Sequence, residues 1–146
     1  MSFQELVAGR WLEACKAVGA DPAQIDFSWG YGDDYDHFKK KRGFAVCFMH
    51  DGGRIRLLFS TKIFDAPRHR QDALVRHEIA HAIDFLTEED WLDEWAACRL
   101  INLPSTPERR ADALAEAIWR EPIKYDKDLV QSTMFGTFPR PEKLGL

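Results

Sequence analysis

The sequence predicts an α+β fold: an N-terminal helix, a three-stranded antiparallel meander, and then a run of helices. Three observations carry this. Phe3, Leu6, Val7, Trp11, Leu12, Cys15 and Val18 recur at helical intervals, two apolar runs between residues 44 and 60 flank a Gly-Gly turn, and the helical period resumes at about residue 68. With 146 residues, 45% of them apolar and 30% charged, the chain has the length and composition of one globular domain spanning 1–146.

Each element has its own justification. Ser2 and Glu5 have capping-box spacing at the start of the first helix, and "GADPAQ" ends it. "IDFSW" alternates through Ile25, Phe27 and Trp29, as a half-buried strand does. A loop rich in Gly, Asp and Tyr follows to about residue 42. "GFAVCFM" and "RIRLLFS" surround His50-Asp51-Gly52-Gly53, a hairpin signal. The helical pattern then predicts helices over Arg68 to Leu86, Glu88 to Leu103 and Pro107 to Trp119. Thr87 and Thr106 are the expected N-caps, and Pro107 suits a first helical position. From about residue 123 periodicity is lost, and the remainder reads as an irregular tail.

A net charge of −4 argues against general affinity for nucleic acid. The basic run Lys39-Lys40-Lys41-Arg42 lies beside Asp33, Asp34 and Asp36 and reads as a solvated turn. Cys15, Cys47 and Cys98 are odd in number and far apart, which suggests buried thiols in a reducing compartment. No run has export-signal character or membrane-spanning length, so a cytoplasmic location is expected, with no membrane partner.

Chemistry concentrates in "RHEIAHAIDF", residues 76 to 85. On a helical wheel Val75, Ile79, Ala82 and Leu86 form one apolar stripe, while His77, His81 and Asp84 share another face. Glu78 lies between them. H-E-x-x-H on a helix puts two imidazoles one turn apart, where they can share a Zn²⁺ ion, and leaves the glutamate free to reach water at the metal's open position. One zinc per chain is therefore expected, held by His77 and His81. The bland alternative is a buried helix with two unpartnered histidines, which is costly.

A third ligand is needed. No histidine follows His81, and Thr87 stands six residues beyond it. In "WLDEWAACRLINLP", Glu94 shares i, i+3, i+4, i+7 spacing with Ala97, Cys98 and Ile101, the pattern of a buried stripe. A carboxylate there needs a cation, and the short turn "LTEED" would fold this helix back onto the histidines. Glu94 is thus the expected third ligand, with Asp84 and Asp93 as the other carboxylates in reach. Its alternative is a buried pairing with Arg99 or Arg120. Asp84, on the histidine face, is expected to orient an imidazole.

These residues resemble the gluzincin metallopeptidases, in which H-E-x-x-H and a glutamate on a following helix bind one zinc. "DEWAA" is similar to the N-E-x-x-A/S element of thermolysin-type enzymes. Those enzymes hold a histidine with a carboxylate four residues after the ligand, a position that Cys98 takes here. Glu94 to Pro104 also resembles the glutamate-to-proline spacing of small ImmA/IrrE-like metallopeptidases. The run from "IRLLFS" into "DALVRHEIAHAID" resembles SprT-like domains, although these usually use a third histidine. The resemblance covers about residues 43–104 and implies a minimal zincin-like domain that hydrolyses peptide bonds, with a peptide or protein as substrate and Glu78 as general base. An oxyanion donor is also expected: Tyr125 first, with His50 and Tyr35 behind it. Two other readings stay open. One is a zinc-binding regulatory or interaction domain with little turnover, such as an accessory protein of a mobile element. The other is a DNA-associated SprT-like protease using Lys39–Arg42.

Overall fold

A capping box starts the first helix, α1 (Phe3–Val18): the Ser2 hydroxyl accepts from the Glu5 amide at 3.1 Å, and the Glu5 carboxylate accepts from the Ser2 amide. Gly19 closes α1 at φ 72°, a left-handed position where a side chain would be strained. The computed structural model describes residues 1–32, 44–50 and 52–123. After α1 come β1 (Phe27–Tyr31), β2 (Ala45–His50), β3 (Arg54–Phe59), α2 (Arg68–Leu86), α3 (Glu89–Ala97) and α4 (Pro107–Trp119).

The strands form one mixed sheet rather than the expected antiparallel meander. Its order is β1-β3-β2, with β3 in the middle. β2 and β3 make the predicted hairpin, antiparallel from Ala45↔Phe59 to His50↔Arg54, and Gly52 and Gly53 take φ of 82° and 80° in its turn. β1 instead lies parallel to β3, from Phe27↔Ile55 to Tyr31↔Phe59. The physical reason is burial: Ile55, Leu57 and Phe59 make β3 the most apolar strand on its inner face, and the central place gives it a neighbour on both sides. Alternation shows which residues are strands but carries no information on their order.

α2 is the axis of the molecule. It packs on α1, β2 and α4 and is buried on nearly every side from Ala73 to Ile83. Its apolar residues share one core cluster with Val7, Trp11, Cys47, Leu57, Phe59 and Leu114. α2 and α4 match their predicted limits. α3 does not: it ends at Ala97, where Leu100 turns left-handed at φ 65° and the Ile101 amide returns to the Ala96 carbonyl at 3.0 Å. Thr87 is the C-cap of α2 rather than the N-cap of α3, its hydroxyl donating to the Ile83 carbonyl. Thr106 precedes α4 as expected but makes no side-chain cap. Cys15 and Cys47 are buried thiols, whereas Cys98 is exposed. Among the described residues no helix is long and apolar enough to cross a membrane.

Candidate metal centre

His77 and His81 stand one turn apart on α2, and both are buried, at 0% and 7% exposure. Their rings meet edge to face, and their Nε2 atoms converge to 3.1 Å. Into the same point comes the carboxylate of Glu108, on the first turn of α4, 2.8 Å from His77 Nε2 and 3.3 Å from His81 Nε2. Two ligands about 2.0–2.1 Å from one tetrahedral ion sit roughly 3.3 Å apart, so this triangle is close to one face of such a site. His77, His81 and Glu108 form the group that could hold a metal among the described residues.

The second nitrogen of His77 is also held. Nδ1 lies 2.8 Å from Asp112 Oδ1, one turn beyond Glu108 on α4. A carboxylate on Nδ1 fixes the ring and its tautomer so that Nε2 points at the metal. In the metal-free chain burial works against a charged His77, yet hydrogen bonds to Asp112 and Glu108 outweigh it and raise the pKa to about 10. Burial likewise opposes ionised Glu108, but hydrogen bonds from His77 and His81 bring its pKa down to about 2. His77 and Glu108 thus hold charge that burial alone would suppress.

Glu78 is 1% exposed, and its Oε1 has no hydrogen-bond partner. Burial raises its pKa, with the two histidines partly offsetting that. A buried, unpartnered carboxylate oxygen is costly in a purely structural residue. Beside two imidazoles and a carboxylate, Glu78 is a titratable group perturbed by burial, of the kind that gathers at functional sites.

Two expected site residues lie elsewhere. Glu94 is exposed, and it does not join the histidines. The stripe it was assigned to is mostly in solvent, with Ala97 and Cys98 also exposed, because α3 buries Leu92 and Ala96 instead. The helix that folds back onto α2 is α4, so Glu108 stands where Glu94 was expected. Asp84 is on α2 as predicted, but among the described residues it is found on Arg110 and not on an imidazole. It accepts from Arg110 Nε at 3.0 Å, and Asp112 takes the orienting position. Arg110 also donates to Asp93, so that carboxylate too is turned away from the histidines. Tyr125, Tyr35 and Lys39–Arg42 lie outside the described residues, as does the side chain of His50.

Glu108 and Asp112 had a readable signal. Glu108, Ala111, Asp112 and Ala115 have i, i+3, i+4, i+7 spacing, the criterion that selected Glu94, and Ala111 and Ala115 are fully buried. The pair also supplies a second carboxylate one turn after the first, which Glu94 lacks. No protein-family model matches the chain, and comparison with the curated proteins and with the solved structures finds no match either.

Proposed function

We propose that this chain is a zinc-dependent metallopeptidase with a minimal zincin-like centre of His77, His81 and Glu108. The observation that carries the proposal is the convergence of two imidazole nitrogens and one carboxylate with Asp112 behind His77. Glu108 followed by Asp112 has the spacing by which gluzincins hold a histidine, the feature that Cys98 denied to Glu94. Zinc bound here would lower the pKa of water and polarise a peptide carbonyl. Glu78 would accept the proton of the attacking water and pass it to the departing amine. β2, which pairs with β3 and packs beside α2, is the proposed place for an extended peptide to lie against the sheet. Tyr125 remains the proposed oxyanion donor, and a cytoplasmic location the proposed setting.

One observation favours a zinc-binding regulatory domain with little turnover. His77, Glu78, His81 and Glu108 are each at most 9% exposed, so little of the centre meets solvent. Glu78→Gln separates the readings. It should keep the zinc and lower peptide hydrolysis about 10²–10⁴-fold, since the amide fills the same space but accepts no proton. Equal cleavage of a protein substrate by wild type and variant would refute the mechanism, and zinc retention with no cleavage by either would favour the regulatory domain.

A further inference from the structure

We propose that Arg110 is a positioning residue of the metal centre: by gripping Asp84 on α2 and Asp93 on α3, it sets the register in which α4 presents Glu108 and Asp112 to the histidines. This rests on the metal-centre reading above.

α2 and α4 run antiparallel, since His77 meets Asp112 while His81 meets Glu108. Their polar contacts alone do not define one register. Glu108 and Asp112 are one helical turn apart, so sliding α4 by one turn, about 5.4 Å, would bring Asp112 to the place of Glu108 and still offer the histidines a carboxylate. Ala111, Ala115 and Ala117 are small, so among the buried apolar residues of α4 only Leu114 opposes such a slide by its bulk.

Arg110 removes that ambiguity. It stands between the two carboxylates in sequence and is 3% exposed. Its Nε donates to Asp84 at 3.0 Å and its Nη1 to Asp93 at 2.7 Å. A rigid planar fork satisfies acceptors on two different helices in one register only. The cost of burying it is visible in Nη2, which is buried without a partner. A buried ion pair of this kind adds little net stability over apolar packing, and setting register is its best-attested use.

The test compares wild type with Asp84→Asn/Arg110→Met, which removes both charges together and leaves no buried ion unpaired, and with Arg110→Lys. Two quantities are read: Co²⁺ affinity from its absorption, and the downfield proton NMR signal of His77 Nδ1–H in metal-free, histidine-labelled protein. The double variant should unfold cooperatively yet bind Co²⁺ about tenfold or more weakly, with the His77 signal shifted or lost. Arg110→Lys should recover part of both. A folded double variant with wild-type affinity and an unmoved signal would overturn the proposal. If that variant does not fold, Asp93→Asn releases the solvent-side arm alone and should weaken Co²⁺ binding about threefold; no change in either readout overturns the proposal equally. Wild type that binds no metal, with the signal still lost in the variants, would remove the metallopeptidase reading and leave the register role standing.

Discussion

His77 is used at both ends of its ring. Nε2 points into the triangle with His81 and Glu108, and Nδ1 rests on Asp112. This has a consequence for the metal-free protein. Burial disfavours the charged ring, but Asp112 and Glu108 hold its pKa at about 10 against an ordinary value of 6.5. A raised folded-state pKa gives stability that is complete below 6.5 and is lost as pH rises toward about 10. Glu78, raised by burial, acts with the same sign, since its ionisation in the folded state is also resisted. Metal-free protein should therefore lose stability steadily from about pH 6.5 upward, and zinc uptake near neutral pH should release a proton, because a ligating imidazole is neutral. Urea titrations across pH, with and without zinc, check this. A metal-free stability that stays flat over that range would contradict the charge assignment.

At the scale of elements, the local signals proved stronger than the tertiary ones. Ser2 and Glu5, Pro107 and the Gly52-Gly53 turn each determine the backbone within a few residues, so α1, α4 and the hairpin are readable from the chain. The place of β1 beside β3 depends on contacts distant in sequence, which alternation does not encode. The end of α3 is hidden for a different reason: the left-handed stop falls on Leu100 rather than on glycine. With that stop unread, the helix extends on paper through Cys98 and Ile101, and the stripe that points to Glu94 looks continuous. Leu100 is 94% exposed, so its side chain contributes almost no burial to offset the strained φ. Leu100→Gly should accordingly raise stability by about 0.5–1 kcal/mol, the left-handed penalty less the glycine entropy. The urea midpoint reads this directly, and a lowered midpoint would show that Leu100 makes a contact worth more than its strain.

The molecule as a whole is built around α2, with the sheet and α1 on one part of its surface and α4 closing the histidine face. The same burial that stabilises α2 makes its polar residues expensive, so His77 and His81 need their partners on α4. Most of the core was visible in the sequence as periodic apolar positions. The third ligand was not, because two helices following H-E-x-x-H both offered a glutamate on a candidate stripe, and only packing distinguishes them. Phe59 shows how much rests on that core: fully buried on β3, it meets the Phe3 ring edge-on at 5.1 Å. Phe59→Ala should cost about 3–5 kcal/mol, a large share of the roughly 5–15 kcal/mol typical of a domain. A loss below about 1 kcal/mol on denaturation would mean the site collapses or was never tightly packed.

The central claim is the ligand set, and metal content tests it most directly. Wild-type protein purified without added metal should carry about one zinc per chain by elemental analysis, as three protein donors with one open position imply. His77→Ala, His81→Ala and Glu108→Gln should each lose most of it, whereas Glu94→Gln should retain all of it. Full zinc in Glu108→Gln, or loss of zinc in Glu94→Gln, would contradict the account.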